Sequence, residues 1–384
     1  MSHSPKPKKR TSGTARSVLI GAAAGILFFA GVLGVRYSIP QVDYYAAAAN
    51  ADTDVVKTVT PPPTLDKAAY DAKMLAIANY KTVAAPTVST HSTSSVQASS
   101  PQAASSTPVV HPWPVKNLPY PNAGALLPFN RIVAYYGNFY SKGMGVLGQY
   151  PPDVMLQKLA STTAQWRAAD PSTPVIPAIH YIVATAQGSP GANGMYSAMM
   201  PDSQIDIALA LAAKIHGLVF LDFQVGLSTL QKELPQYAKY LALPNVELGI
   251  DPEFAMHAGA KPGTVIGSLD AADVNYAANF LAGLVKGNNL PPKILVVHRF
   301  TEDMLTHYKK ITPLPEVQIV IDMDGWGSQA KKIGTYTNIV AAEPVQFTGF
   351  KLFYKNDLLS PSTGMLTPAQ VLKLTPQPMY IQYQ

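Results

Sequence analysis

Short runs of β-branched and aromatic residues alternate with amphipathic stretches from about Asn117 to the end of the chain. Proline or glycine borders most of these runs, as is typical of strands that end in turns. The pattern predicts eight strands, at Arg131–Tyr136, Val175–Tyr181, Leu218–Phe223, Val246–Ile250, Ile294–Val297, Val317–Ile321, Phe347–Phe353 and Met379–Gln382. Several of them are largely apolar, which favours parallel strands that are buried on both faces.

The stretches between the strands predict helices that begin after capping residues of the Asp, Ser and Thr type. These helices are expected at 154–168, 203–215, 230–241, 271–286, 301–310 and 368–373. Eight strands joined by such crossovers in about 265 residues suit a (β/α)8 TIM barrel, with an open doubly wound sheet as the alternative. No helix follows the last strand, so a segment from 37–80 or the turn around Leu126 is expected to cover that face.

The N-terminal region has a different composition, which predicts a membrane anchor. A basic tail at 1–16 precedes 18 residues, Val18–Val35, that carry no charged or strongly polar side chain. As a helix this run would be about 27 Å long, close to the thickness of a bilayer core. A cleavable signal peptide usually has a shorter apolar core. We therefore expect an uncleaved transmembrane signal anchor at 17–35, with a cleaved signal or a buried helix as alternatives, and a cell-membrane location.

Residues 36–116 are predicted to connect this anchor to an extracytoplasmic barrel at 117–384. Leu65–Tyr80 has helical apolar spacing, which predicts a short juxtamembrane helix. The stretch 84–114 consists mainly of Ser, Thr, Ala, Pro and Val and has no charged residue. Such a composition buries too little surface to offset chain entropy, which predicts a disordered linker.

Charge and cysteine content exclude several classes of function. The net charge is +6, from 29 basic and 23 acidic residues, but six of the basic residues and no acidic residue lie in 1–36. The remainder carries 29 − 6 = 23 basic against 23 acidic residues, so a nucleic-acid partner is not expected. The absence of cysteine excludes disulfides, thiolate metal sites and a thiol nucleophile. No dinucleotide fingerprint or phosphate loop is present, so no cofactor is predicted.

Polar residues follow nearly every predicted strand, at the end where barrel enzymes hold their reacting groups. They are Tyr136, His180, Asp222, Gln224, Asp251, Glu253, His298, Asp322, Asp324, Lys351 and Gln382. Their convergence at one mouth predicts a polar, ionisable pocket. A divalent metal could bind among these acids and histidines, but no metal-ligand spacing such as HExxH, HxH or an EF-hand occurs, so no metal site is predicted.

The two acids Asp251 and Glu253 are the sharpest candidates for catalysis. At i and i+2 on a strand they would project to the same side, about 6–7 Å apart. Mutual repulsion and burial would raise one pKa, as glycoside cleavage requires. Asp322 and Asp324 form a second such pair. For either pair, capping of the next helix or an ion pair with Lys351 or Arg299 is the structural alternative.

An acidic D-x-E at the end of the fourth barrel strand resembles the chitinase superfamily and the barrel-type muramidases. This resemblance implies that Glu253 is the general acid and Asp251 its partner. The remaining candidates for substrate binding are Tyr136, His180, Asp222, Gln224, His298, Asp322, Asp324, Trp326 and Lys351. Segments 250–256, 321–325 and 349–354 also resemble uncharacterised secreted or membrane-anchored bacterial proteins. The resulting hypothesis is a membrane-anchored protein that cleaves or binds a cell-envelope polysaccharide. The alternatives are an inactive glycan-binding or scaffold barrel and a metal-dependent hydrolase.

Overall fold

The computed structural model describes residues 64–80 and 112–384, and eight of its strands form a closed parallel ring. In chain order the strands are β1 (Arg131–Gly137), β2 (Val175–Ala186), β3 (Ser197–Met199), β4 (Leu218–Phe223), β5 (Val246–Ile250), β6 (Leu269–Asp270), β7 (Lys293–Arg299), β8 (Leu305–Thr306), β9 (Val317–Met323), β10 (Phe347–Leu352) and β11 (Tyr380–Tyr383). The ring runs β1–β2–β4–β5–β7–β9–β10–β11 and closes because β11 also pairs with β1. This confirms the predicted (β/α)8 TIM barrel, and each predicted strand overlaps a ring strand.

The three remaining strands lie outside the ring. β3 pairs antiparallel with the end of β2, while β6 and β8 form a separate two-stranded sheet. Within the ring, side chains alternate between two environments. On β1, Val133 and Tyr135 belong to the core between sheet and helices, whereas Ile132 and Ala134 belong to the cluster inside the barrel. Both faces are therefore buried, which explains the continuous apolar runs in the sequence.

Helices connect the strands on the outside of the ring, except for the first helix, which precedes β1. They are α1 (Lys67–Ala78), α2 (Val146–Gln149), α3 (Pro152–Ala169), α4 (Asp202–Lys214), α5 (Leu230–Glu233), α6 (Ala238–Leu241), α7 (Ala271–Asn288), α8 (Gln329–Thr335) and α9 (Pro368–Val371). Side-chain caps begin several of them. Asp270 accepts a hydrogen bond from Ala272 N, and Asp273 bonds back to Asp270 N, which forms a capping box at α7.

The end of the barrel where the strands begin is closed by chain that precedes β1. Tyr70 and Met74 of α1, with Trp113 and Leu127, join the cluster inside the barrel. The indole N–H of Trp113 donates to Gln346 O at 3.0 Å. Both segments that the sequence suggested as a cover thus contact the barrel, but at its end rather than beside the last strand. On the outer side of that strand, Tyr383 accepts a hydrogen bond from Trp166 of α3.

Two predicted helices are not formed as expected. Residues 301–310 contain turns, β8 and a 3₁₀ helix at Tyr308–Lys310 instead of one helix. The buried Arg299 side chain donates to the carbonyls of Thr301 and Glu302, which holds this segment in an irregular form. The predicted helix at 230–241 is divided into α5, a 3₁₀ helix and α6, because Pro235 lacks the N–H that a continuous helix needs.

The predicted membrane anchor at 17–35 and most of the predicted linker lie outside the described residues. Within residues 64–80 and 112–384, no helix has the length and apolar character needed to cross a membrane. The predicted helix at Leu65–Tyr80 is confirmed as α1, and its packing shows that the folded body includes residues before Asn117.

Candidate functional site

Three ring strands bring a histidine, an aspartate and a second histidine together inside the barrel mouth. His180 comes from β2, Asp222 from β4 and His298 from β7, and all three residues are completely buried. Asp222 Oδ1 lies 3.1 Å from His180 Nε2 and 3.2 Å from His298 Nε2. One potential ligand atom from each residue lies within 4.8 Å of the other two. We refer to His180, Asp222 and His298 as the central triad.

Each member of the central triad is oriented by a further contact. Tyr136 of β1 donates to Asp222 Oδ2 at 2.9 Å. His180 Nδ1 lies 2.5 Å from the Tyr380 hydroxyl, and His298 Nδ1 lies 3.1 Å from Asp324 Oδ2. Because the Nδ1 atoms face these outer groups, both Nε2 atoms are directed towards Asp222.

Glycines on neighbouring strands provide the space for these side chains. A Cβ at Gly249 of β5 would lie 2.3 Å from Asp222 Oδ1 and 2.5 Å from His180 Nε2. A Cβ at Gly349 of β10 would lie 2.4 Å from Asp322 Oδ1. Real Cβ atoms do not approach other atoms so closely, so any larger residue at 249 would displace the triad.

Several buried polar atoms around the triad have no hydrogen-bond partner among the described residues. They are His180 Nε2, His298 Nδ1, both carboxylate oxygens of Asp322 and Gln382 Oε1. The His180 and His298 nitrogens are close to carboxylates but not aligned with them for a hydrogen bond. Unpartnered buried polar atoms are uncommon in folded proteins, and a bound ion or water is one of the ways in which such atoms are satisfied.

Burial and mutual charge shift the pKa values of the triad in different directions. Burial lowers the pKa of His180 to about 4, so this imidazole is neutral at pH 7. Burial alone would raise the pKa of the Asp222 carboxyl, but the charge of His298 and the close approach of both imidazoles hold it well below its usual range. Burial opposes protonation of His298, yet the adjacent carboxylates raise its pKa well above the usual value.

A lysine forms an ion pair with one of the acids beside the triad. Lys351 of β10 lies 2.9 Å from Asp324 Oδ1, and its ammonium is 3.9 Å from the centroid of the Tyr136 ring. The ion pair is buried, which explains why the pKa of Asp324 is lowered although burial acts in the opposite direction. From the sequence, an ion pair with Lys351 is the structural alternative to a functional role for Asp324, and the structure contains this ion pair.

The structure unites most of the predicted site residues. Tyr136, His180, Asp222, Gln224, Asp251, His298, Asp324 and Lys351 are linked by the contacts of one cluster. Asp322 is adjacent, with Oδ2 at 3.5 Å from His298 Nδ1. Trp326 is apart from this cluster, since it is partly exposed and contacts the Lys331 ammonium.

The predicted geometry of Asp251 and Glu253 is wrong. β5 ends at Ile250, and Asp251 caps a 3₁₀ helix at Pro252–Phe254 by accepting from Glu253 N at 3.1 Å. Asp251 Oδ2 accepts from Gln224 inside the mouth. Glu253 is partly exposed, and its carboxylate makes no hydrogen bond among the described residues. Because the strand has already ended, the two acids do not form a pair on one strand face. Burial raises the pKa of Asp251 to about 7, and burial together with the charge of Asp251 raises the pKa of Glu253 to about 8, in the direction that the sequence predicted.

Tyr380, Gly249 and Gly349 are the site residues that the sequence reasoning missed. Gly249 lies two residues before Asp251, and Tyr380 lies two residues before Gln382. The alternation of side chains on a strand places such positions on the same inward face. Alternation counted back from the polar strand ends would therefore have indicated all three.

No protein-family model and no curated protein matches this chain. Similar solved structures include the HPPK-DHPS of Plasmodium falciparum with pteroate, at 10% identity and a TM-score of 0.32, covering 68% of this chain and 46% of that chain. Another is the Burkholderia cenocepacia dihydropteroate synthase complexed with 7,8-dihydropteroate, at 11% identity and a TM-score of 0.30, covering 67% and 86%. The match spans less than half of the first chain. A likeness of this extent does not assign an activity to this chain.

The predicted glycoside-hydrolase function is wrong. The similar structures are dihydropteroate synthases, and no family model supports the resemblance to chitinases or muramidases. In the structure the D-x-E motif follows the end of β5 and does not lie on a strand. The charged side chains expected to contact a polysaccharide are mostly enclosed, with His180, Asp222, His298 and Asp322 having no exposed surface.

Proposed function

We propose that the protein binds a divalent transition-metal ion inside the barrel, through His180 Nε2, Asp222 Oδ1 and His298 Nε2. The observation that carries this proposal is the convergence of the three atoms from separate strands, within 4.8 Å of one another in a buried site. Asp222 and His298 are 76 residues apart in the chain, so it is the tertiary structure that brings the three atoms together.

Two of the three distances between the ligand atoms suit a single ion. Imidazole nitrogens and carboxylate oxygens coordinate such ions at about 2.0–2.2 Å, so two ligands at a right angle are about 3 Å apart. The two distances from Asp222 Oδ1 are 3.1 and 3.2 Å. Small rearrangements would therefore be enough to place an ion among the three atoms.

The outer contacts resemble the shell that orients metal ligands in proteins. A metal-binding histidine usually donates its other ring N–H to a carboxylate or another oxygen. The Tyr380 hydroxyl supplies such an oxygen to His180 Nδ1. An oxygen of Asp324 lies 3.1 Å from His298 Nδ1, although it is not aligned for a hydrogen bond there. Tyr136 holds the second oxygen of Asp222 and leaves Oδ1 facing the histidines.

The ligand types favour a transition metal over calcium or magnesium. Imidazole suits zinc, iron, copper and nickel, whereas calcium and magnesium prefer sites made of oxygen atoms. Two imidazoles and one carboxylate also form the ligand set of many iron(II) sites. The competing interpretation is a metal-free charge cluster in which His298 is protonated and shares Asp222 with His180.

Metal titration of the full chain separates these interpretations. The chain is treated with a chelator, dialysed and titrated with Co²⁺, whose visible absorption reports coordination by nitrogen and oxygen ligands. We expect about one ion per chain by elemental analysis, and His180→Gln should weaken binding by at least about a hundredfold. The control is His216→Gln, which changes an exposed histidine after α4. Substoichiometric binding, or equal affinity in His180→Gln, would overturn the proposal.

A further inference from the structure

Gln224 connects four neighbouring strands on the mouth side of the central triad. It follows the end of β4, two residues beyond Asp222, and is buried. Its Nε2 donates to Tyr136 OH at 3.2 Å and to Asp251 Oδ2 at 3.1 Å. Its Oε1 accepts from Ala186 N, at the end of β2, at 3.2 Å. One amide therefore holds together the ends of β1, β2, β4 and β5.

We propose that Gln224 is a latch that closes the barrel mouth over the bound metal ion and sets the rate at which the ion enters and leaves. This inference rests on the proposed function. Gln224 lies further along the strand direction than Asp222, so it is between the triad and the mouth. Since the triad residues are completely buried, an ion reaches them only when part of this cover moves.

The cover has two sides of unequal strength, and Gln224 forms the weaker side. Opposite it, Lys351 and Asp324 form a buried ion pair at 2.9 Å. Separating a buried ion pair leaves two uncompensated charges, which is strongly unfavourable. The Gln224 amide carries no charge, and its hydrogen bonds can be exchanged for bonds to entering water at small net cost. Opening is therefore expected on the side of β1, β2, β4 and β5.

A latch has a kinetic signature that differs from that of a metal ligand. Gln224 does not contact the three proposed ligand atoms. The loss of its hydrogen bonds should therefore change the free energy of opening the cover more than the affinity for the ion. Loss of the latch should raise the association and dissociation rates by similar factors. A merely structural disturbance of the triad would instead raise the dissociation rate alone, and the affinity would fall by the same factor.

The test compares Gln224→Met with Gln204→Met in the full chain. Methionine keeps the volume of glutamine but cannot form its hydrogen bonds. Gln204 of α4 is also buried, and its Oε1 has no partner among the described residues, so this variant is a matched control. Zn²⁺ release to a chromophoric chelator and Zn²⁺ uptake by the metal-free chain are followed by stopped flow. Zinc content is first measured at equilibrium.

We expect both rates to rise by about tenfold or more in Gln224→Met and to remain near wild type in Gln204→Met. The equilibrium affinity should change much less than either rate. Unchanged rates in a Gln224→Met chain that binds one zinc ion would refute the latch while leaving the metal site intact. A faster release with unchanged uptake would also refute it. A wild-type chain that binds no zinc at equilibrium would refute the metal site and the latch together.

Discussion

Glu247 is a buried acid near the start of β5, far from the mouth in the strand direction, and its removal should stabilise the protein at neutral pH. Its Oε2 accepts from Ile294 N at 2.5 Å. The neighbouring Lys293 ammonium donates to Val246 O at 2.8 Å rather than forming an ion pair with Glu247. Burial raises the pKa of Glu247 to about 7, and the charge of Lys293 offsets this only in part. Glu247→Gln keeps an oxygen for Ile294 N and removes the ionisation.

The raised pKa determines the sign of the effect. Below pH 4.5 the carboxyl is protonated in both the folded and unfolded chain, so it contributes no pH dependence. Between pH 4.5 and 7 the unfolded chain releases the proton while the folded chain retains it, and stability falls as pH rises. Above pH 7 the carboxyl is ionised in both states, and the full loss of folding stability is present. A rise from 4.5 to about 7 corresponds to roughly 3 kcal/mol.

Thermal unfolding followed by circular dichroism from pH 4 to pH 8 measures this difference. Glu247→Gln should be more stable than wild type by up to about 3 kcal/mol at pH 8, which is a rise in Tm of about 5–10 °C for a domain of this size. The gain should become small near pH 4. Glu302→Gln, at an exposed glutamate, is the control. Equal gains at pH 4 and pH 8, or a loss at pH 8, would refute this account.

Two further substitutions test the site and the fold. Gly249→Ala places a Cβ 2.3 Å from Asp222 Oδ1, so Co²⁺ affinity should fall at least about tenfold, whereas Gly283→Ala, where a Cβ meets nothing within 4 Å, should not alter it. Equal affinities would contradict the close approach. Asp270→Ala removes the cap of α7 and the contacts of Asp270 with Thr306 and His307, so it should lower the free energy of unfolding in urea by at least about 1 kcal/mol. Exposed Asp303→Ala should have little effect.

The strand pattern was predictable because each ring strand is buried on both faces. β5 and β9 appear in the sequence as largely apolar runs whatever their partners are. The segment 301–310 was not predictable in this way. It has helical spacing, but the buried Arg299 side chain bonds its carbonyls, and that contact depends on the tertiary structure.

The candidate site was predictable in part. Polar residues at the ends of parallel strands meet at one mouth of a closed ring, so His180, Asp222 and His298 were identified. The sequence pattern points to Asp251 and Glu253 for the chemistry, because these acids are two residues apart and resemble a known motif. No metal spacing was visible, since the proposed ligands come from three strands. The membrane anchor at 17–35 and the extracytoplasmic location stay predictions.

The sequence by itself determined the barrel and the set of polar residues at its mouth, because local hydrophobic periodicity and strand direction are encoded in short segments. Only the tertiary structure decided which of those residues touch. The approach of two Nε2 atoms to one Asp222 oxygen depends on ring closure, on strand register and on the space left by Gly249. Each of these properties arises from contacts between distant segments, and no short stretch of the chain contains them.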